Sequence, residues 1–382
     1  MRVLLLNHEY PPLGGGSGVA TQHLAEALVR LGHEVLVLTT AAHSQRYEEH
    51  GVRVTRFPIQ LPAGKLAGLR SWLSFLRHAP AALRHALAEF QPDVIHSHFL
   101  FPSGFVVANT KTTVPHVASV VGAEIHDPSR RMSADRNWLM RACIRRVVSH
   151  AQVVTTSARD LTSRVRTLYP EAADIAEIPW PVPPLAPDPR SRRDLQLGDD
   201  RFVITALCRL VKRKRIDVLL RAMQTLHRDD VYLVVMGAGP LAEQLRDLAH
   251  SLGLADAVRF TGSVSEADKA AYLSRSDVFC LPSDHEGFGL VFVEAMSLGT
   301  PVISTNVGGQ TDIIREGVDG FLVPPARTDL LAERIETLRT DRELLAQMSR
   351  TVPARAQEFA PAAIAPRFVE VYERAREPRA ES

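Results

Sequence analysis

Cysteine is scarce in this chain. The three thiols, Cys143, Cys208 and Cys280, are odd in number and far apart, which excludes a disulfide framework and a zinc site built on paired cysteines. Such usage fits a reducing compartment, and a cytoplasmic location is expected. Neither sign of charge dominates: 45 Lys and Arg stand against 43 Asp and Glu, a formal net charge of +2. A nucleic-acid partner, which calls for a strongly basic face, is not expected. Long hydrophobic runs are missing as well. Val3-Leu4-Leu5-Leu6 is interrupted by His8 and Glu9, short of the roughly 7 to 15 apolar residues of a signal peptide. Nowhere do about 18 apolar residues follow one another, so no membrane span is expected.

What the chain does have is enough apolar material for two domains: 382 residues, 45% of them hydrophobic. Short β-branched and leucine-rich runs alternate with longer helical patterns, the mark of βαβ units and a mainly parallel sheet. The fold class is α/β. In the first half, strands are expected near Arg2–Leu6, Glu34–Thr39, Val52–Phe57, Asp93–His96, His116–Val121 and Gln152–Thr156, with helices near Val19–Leu31, Ala67–Phe90, Ala134–His150 and Ala158–Leu168. The pattern restarts after about residue 200, with strands near Phe202–Cys208, Val231–Met236, Val258–Phe260, Val278–Leu281, Pro301–Ser304 and Gly320–Val323. Between the halves, Ile178 to Pro189 is so rich in proline that neither helix nor central strand continues through it. The expected layout is a first domain over 1–180, a linker over 181–200, a second domain over 201–355, and a terminal helix within 356–382 that packs back across the linker. Up to Leu185 there are 19 basic and 14 acidic residues, a net +5; beyond it, 26 and 29, a net −3.

Three stretches carry chemistry. From Leu281 to Met296 a strand runs into a glycine-bearing loop and then a helix, which aims free backbone N–H groups and the positive end of a helix dipole at a crevice. Glu286 and Glu294, with seven residues between them, sit at the two ends of that transition. A carboxylate accepts from two adjacent hydroxyls, so Glu294 suits a ribose diol and Glu286 a sugar hydroxyl; alone, the pair reads equally as loop and helix-surface carboxylates. Before it, Arg209-Leu210-Val211-Lys212-Arg213-Lys214-Arg215 places five cations in seven positions after a buried strand. Arg209 and Lys214 there could stabilise charge growing on a departing diphosphate, although a basic run is also a common solvated face. Gly237-Ala238-Gly239-Pro240 follows another strand and resembles a phosphate-approach turn. Gly14-Gly15-Gly16 lies at the first strand-to-helix turn, without the sequence context of a dinucleotide fingerprint or a P-loop.

Together these residues carry a family resemblance. Gly15-Gly16, Asp93 to His98, Arg209-Leu210 with Lys214, Gly237-x-Gly239-Pro240, Gly262-Ser263-Val264, Glu286-Gly287-Phe288-Gly289 to Glu294, Gly308-Gly309 and Gly317-x-x-Gly320 span the whole chain in order. The set resembles the retaining glycosyltransferases of family 4 (glycosyl transferases group 1). The resemblance implies a GT-B fold of two Rossmann-like doubly wound domains facing a cleft, the first for the acceptor and the second for the donor. It implies transfer of a hexosyl or amino-hexosyl unit from a UDP- or GDP-sugar to a hydroxyl of a small-molecule, lipid-linked or saccharide acceptor, with no cofactor and no required metal. By position, Arg209 and Lys214 would bind the diphosphate, Glu294 the ribose, Glu286 the transferred sugar and the Val264 backbone the base. Gly287-Phe288-Gly289-Leu290 would supply N–H donors, Gly239 would line the donor site, Gly15-Gly16 would face the diphosphate, and His98 would stand near the reacting sugar.

The sequence departs from the family pattern at several points. Val121 stands where many relatives have histidine, leaving the roles of Glu124 and His126 open; Trp180-Pro181 replaces an Asn-Gly turn; Cys208 and Arg215 replace glycines flanking the cationic loop. His96-x-His98 has no third ligand at suitable spacing, so no metal site is expected. Arg70, Arg77 and Arg84, at seven-residue spacing, and Arg136, Arg141, Arg145 and Arg146 lie on basic amphipathic helices that could touch an anionic membrane surface or be plainly solvated. A peripheral location at the inner membrane face follows from the first alternative. Other nucleotide-sugar chemistry, such as epimerisation or sugar-phosphate transfer, and a silent binding protein are the competing readings; oligomeric state is not legible.

Overall fold

The computed structural model describes residues 1–60, 69–128, 132–172 and 174–377. The chain forms two compact units, Met1–Val182 with the segment from Ala360 onward, and Pro183–Phe359.

The first unit runs β1 (Arg2–Leu6), α1 (Gly16–Arg30), β2 (Glu34–Ala41), β3 (Gln45–Glu49), β4 (Val52–Pro58), α2 (Leu69–Phe90), β5 (Val94–His98), α3 (Phe105–Ala108), β6 (His116–Val120), α4 (Trp138–His150), β7 (Val153–Thr156), α5 (Arg159–Leu168) and β8 (Ile175–Glu177). Its eight strands lie in the order β3-β4-β2-β1-β5-β6-β7-β8, all pairs parallel except β3 with β4. The middle strands are buried along most of their length, as continuous apolar runs covered by helices on both faces require. One such cover is α2, whose Phe75, Ala79, Leu83, Ala86 and Phe90 recur at helical spacing and pack on Leu4, Leu36 and Ile95. Each large side chain buried this way contributes about 1.5–3 kcal/mol.

The second unit runs β9 (Phe202–Leu207), α6 (Ile216–Leu226), β10 (Val231–Met236), α7 (Ala242–Ser251), β11 (Val258–Gly262), α8 (Glu266–Ser274), β12 (Val278–Leu281), α9 (Leu290–Ser297), β13 (Val302–Thr305), α10 (Gln310–Ile313), β14 (Gly320–Val323), α11 (Thr328–Thr340) and α12 (Arg342–Gln357). Its six strands are all parallel, in the order β11-β10-β9-β12-β13-β14. A final helix, α13 (Pro361–Arg376), belongs to the first unit, where Phe368 and Tyr372 are buried and the Tyr372 hydroxyl meets His96 Nδ1 at 2.8 Å.

In each sheet the strand order reverses direction once, between β1 and β5 and between β9 and β12. At such a point the two following crossovers depart to opposite faces and leave a crevice at the carboxyl ends of the strands. The loop after β9 thus lies beside the loop after β12.

Several element bounds differ from the sequence expectation. Helix α1 starts at Gly16, inside the glycines, and not at Val19. Helix α4 starts at Trp138 and not Ala134, because Asn137 caps it by accepting from the Met140 N–H at 2.9 Å. The expected start of α2 at Ala67 lies outside the described residues. Strand β3 (QRYEE) was not anticipated: it is a wholly exposed polar edge strand with no apolar alternation. The proline-rich stretch does not hang free. From Pro183 it belongs to the second unit, tied down by Leu185 N–H to Ser297 Oγ (3.1 Å), Arg190 to Asp268 (2.7 Å) and Arg192 to Asp277 (2.7 Å).

Candidate active site

At the switch point of the second sheet, the cationic loop after β9 and the Glu286 loop after β12 are laced together by four contacts. The Asp284 N–H donates to Arg213 O (2.8 Å), Arg213 Nη1 to His285 O (3.0 Å), Arg215 Nη1 to Asp284 Oδ1 (3.1 Å), and Lys214 Nζ to Glu286 Oε1 (2.5 Å). Arg213 also approaches Glu286 Oε2 at 3.5 Å. Burial alone would raise the Glu286 pKa; Lys214 and then Arg213 outweigh it and hold the carboxyl at about 2. Arg215 takes up a left-handed backbone (φ 51°, ψ 38°), so the bend of a glycine is kept where the sequence has arginine, and Asp217 and Asp284 grip its guanidinium. Arg209 is exposed and has no side-chain partner among the described residues. Lys214 and Arg215 are thus held by Glu286, Asp284 and Asp217, while the Arg209 guanidinium stays exposed.

Glu294, in the second turn of α9, is also buried, and its Oε1 receives Lys269 Nζ at 2.8 Å; Lys269 reaches Glu266 at 2.6 Å as well. Burial raises the Glu294 pKa and Lys269 opposes that rise without cancelling it. Lys269 comes from α8, which Ser265 caps by accepting from the Asp268 N–H at 3.0 Å. Each glutamate thus has its own lysine, and in Glu294 the second oxygen makes no hydrogen bond among the described residues.

The glycines of the neighbouring turn serve packing. Gly237 (φ +122°) lies so close to the cationic loop that a Cβ would stand 1.9 Å from Cys208 O, and one on Gly239 would stand 2.3 Å from Leu210 O. The turn is the seat on which the Arg209 loop rests, with Leu210 N–H donating to Ala238 O (3.0 Å). Phe288 turns its ring inward, 5.7 Å from that of Phe359, which leaves that residue only its backbone to meet a ligand. The amides of Phe288, Gly289 and Leu290 have no backbone acceptor among the described residues, and they precede or open α9, where its dipole favours an anion. Val264 is half-buried in the loop between β11 and α8, at the same carboxyl edge of the sheet.

In the first unit, His98 ends β5 beside the other switch point. It is fully buried, its Nδ1 2.5 Å from Thr21 Oγ1 and its ring 4.9 Å from Trp180; Nε2 has no hydrogen-bond partner among the described residues. Burial lowers its pKa to about 3, so it is neutral. His96 is likewise enclosed, with both ring nitrogens occupied by Tyr372 and Ser119. Gly15 and Gly16 open α1, and the Gly15 N–H donates to the Glu9 carboxylate at 3.1 Å. Glu124 organises its own turn by accepting from the N–H groups of Val121 (2.9 Å) and Gly122 (3.0 Å), and His126 pairs with Asp135 at 2.7 Å.

Among the described residues no group of three His, Cys, Asp or Glu is placed to hold a metal ion, and no helix is long and apolar enough to cross a membrane. The structure brings Lys214 and Glu286 into contact and sets Arg209, Gly239, Val264 and the Gly287–Leu290 loop along one sheet edge, with Glu294 on the helix that leaves it. Sequence reasoning missed Arg213, Asp284 and Lys269. Only Lys269 had a local signal, the Ser265-x-x-Asp268 cap that announces its helix.

Comparison with known proteins agrees with this layout. Residues 187–355 match the family model described as glycosyl transferases group 1, and residues 15–181 the model described as glycosyl transferase 4-like domain. An uncharacterized glycosyltransferase of Methanocaldococcus jannaschii is 32% identical over 89% of this chain and 90% of its own. A GDP-mannose-dependent alpha-(1-6)-phosphatidylinositol monomannoside mannosyltransferase of Mycobacterium tuberculosis is 30% identical over 90% of each chain. Among solved structures, sucrose-phosphate synthase from Thermosynechococcus elongatus superposes with a TM-score of 0.85 at 24% identity, covering 97% of this chain and 98% of the other. Anabaena HepE in complex with UDP and glucose gives 0.74 at 22% identity, covering 98% and 99%. The fold is GT-B.

Proposed function

The chain belongs to the glycosyl transferases group 1, and on that premise we propose that it is a retaining, metal-independent transferase moving a hexosyl or amino-hexosyl unit from a UDP- or GDP-sugar to a hydroxyl acceptor. The observation that carries this reading is the cationic Arg209–Arg215 loop at a sheet switch point, its Arg209 exposed and its Lys214 locked to a buried, ionised Glu286.

In this mechanism Arg209 and Lys214 hold the diphosphate, joined by the amides of Phe288, Gly289 and Leu290. The anomeric C–O bond breaks, its electron pair passing to the diphosphate oxygen, and charge there is stabilised by cations already in position, as a metal does elsewhere. The acceptor oxygen attacks the same face and its proton passes to the leaving phosphate oxygen, so no carboxylate nucleophile is needed and configuration is retained. Glu286, ionised at neutral pH, orients sugar hydroxyls by accepting from them and keeps Lys214 extended. The unshared oxygen of Glu294 accepts from the ribose diol. Val264 backbone meets the base, Gly239 lines the donor site, and the family resemblance assigns Gly15-Gly16 to the diphosphate and His98 to the neighbourhood of the reacting sugar. Relatives named for GDP-mannose and structures holding UDP leave both bases within the proposal.

A thermal-shift panel of UDP, GDP and their sugars tests it, because only a ligand that prefers the folded state raises the melting temperature. One nucleotide series is expected to shift the transition, and the matching sugar donor with a hydroxyl acceptor to yield an α-linked product from an α-linked donor. A free isomer from donor alone would identify an epimerase, and silence across the panel would overturn the reading.

A further inference from the structure

Asn7 directly follows β1, and its side-chain amide has a fixed sense: Oδ1 accepts from the Glu9 N–H at 3.0 Å, so Nδ2 is the end that faces α1. There Nδ2 donates to Thr21 Oγ1 at 2.7 Å. The helix is pressed against this loop, since a Cβ on Gly18 would stand 3.1 Å from Tyr10 N. Thr21 lies one turn beyond Ser17, and its hydroxyl donates back to Ser17 O at 2.9 Å. Its third neighbour is His98 Nδ1, at 2.5 Å. Asn7, Thr21 and His98 are all sealed from solvent.

A hydroxyl has one proton and two lone pairs. With the Thr21 proton on Ser17 O and one lone pair taken by Asn7, the other lone pair faces Nδ1, so Nδ1 carries a proton. The imidazole is neutral, and Nε2 is therefore bare. The opposite assignment turns the Thr21 proton toward Nδ1 and puts the ring proton on Nε2, which has no acceptor among the described residues. That would leave a buried N–H unmet, which folded proteins tolerate less readily than an unmet acceptor. The network selects the Nδ1–H tautomer.

A network serving packing alone would pair this nitrogen or omit it. Two residues earlier on the same strand, His96 has both ring nitrogens engaged, so an unpaired nitrogen is not something the strand end imposes. Around His98 every neighbouring donor is met, and what is left over is the lone pair of Nε2.

We propose that Thr21, oriented by Asn7, is a positioning residue: it holds His98 as the Nδ1–H tautomer so that Nε2 accepts from a hydroxyl of the transferred sugar. The inference rests on the place given to His98 in the reaction proposed above and adds the groups that set its proton. A bare nitrogen takes a partner that brings a proton. A hydroxyl or an ammonium suits it, whereas a carboxylate at that position sets lone pair against lone pair.

The test begins with the tautomer, which is read without any reaction. Long-range proton–nitrogen correlation spectra are recorded on the full chain with labelled histidine, the His98 signals being those lost in H98Q. A protonated Nδ1 and an unprotonated Nε2 are expected. T21V keeps the shape and removes the hydroxyl, so nothing accepts from Nδ1–H; it is expected to move the ring to the Nε2–H form and to lower kcat about tenfold, the worth of one hydrogen bond. T21S is expected to restore both. A protonated Nε2 in the parent chain, or a T21V variant with unchanged tautomer or unchanged turnover, would overturn the proposal. Should T21V not fold, the parent and T21S spectra decide, because both must show Nδ1–H. Absence of any sugar transfer would sink the reaction proposed above, and the parent spectrum would still decide the network on its own.

Discussion

Lys214 Nζ and Glu286 Oε1 meet at 2.5 Å although 72 positions separate them in sequence. Both side chains are nearly sealed from solvent, 12% and 8% exposed, in a loop pair where Arg209 stays open. This asymmetry separates stability from catalysis.

Arg209→Ala removes an exposed side chain with no partner among the described residues, so folding stability is expected to change by no more than about 0.5 kcal/mol. Turnover with the identified donor should fall roughly 100-fold or more, as on removal of a transition-state charge donor. Lys214→Ala should lose turnover and also about 3 kcal/mol of stability, because it strands a buried carboxylate. Urea denaturation beside steady-state kinetics checks both. Near-normal turnover in the two variants would end the proposed mechanism.

Lys269→Ala should destabilise the second unit by a similar ~3 kcal/mol. The double variant K269A/E294A should recover part of that loss, since it removes the orphaned charge together with its partner. A double-mutant cycle measures the coupling; strict additivity would show that the pair is not a unit.

Gly237→Ala places a methyl group where Cys208 O already stands, in a left-handed backbone as well. The loop must shift, with an expected cost of about 2–4 kcal/mol and weakened nucleotide affinity. Calorimetry and nucleotide titration are the readouts.

Acid should act on the two units in different pH windows. His8, His98 and His116 in the first unit are neutral, with pKa values lowered to about 3 from 6.5 by burial. The unfolded chain binds those protons first, so their contribution is full above pH 6.5 and is lost as pH falls toward 3. Glu286 in the second unit is depressed from 4.5 to about 2, so its contribution persists above pH 4.5 and is lost only below it. Trp72, Trp138 and Trp180, the three tryptophans of the chain, all lie in the first unit, so their emission reports it alone. Resistance to denaturation, followed by that emission, should weaken as pH falls from 6.5 to 5, while nucleotide-dependent protection of the second unit from proteolysis should not change over that interval.

Much of this architecture is legible in the residues. Strands such as β1 and β10 are read easily because a sheet covered on both faces needs unbroken apolar runs, and the Glu286 loop because a glycine-bearing strand end before a helix has few other uses. Lys269 was hidden: it lies in a polar stretch, EADKAAYLS, and its burial is decided by Glu294, 25 residues on. That Gly237 and Gly239 also seat the Arg209 loop has no local signal, because that loop is remote in sequence. The packing of the Phe288 ring on Phe359, 71 positions on, has no local signal, whereas the loop's backbone N–H groups are read from its glycines. The partners of His96, Ser119 and Tyr372, could not be read either, the second of them lying 276 positions away. Interactions between distant residues leave no periodicity to find.

Because α13 belongs with the first unit, that unit is encoded discontinuously, and the ribosome delivers its last helix only after the whole of Pro183–Phe359. At about 5–20 residues per second, roughly 10–35 s pass during which the faces of His96 and Trp180 that Tyr372 and Phe368 will cover wait for their partner. The intervening unit, whose sheet is contiguous in the message, is free to form in that interval, so the part of the protein translated first is the part completed last.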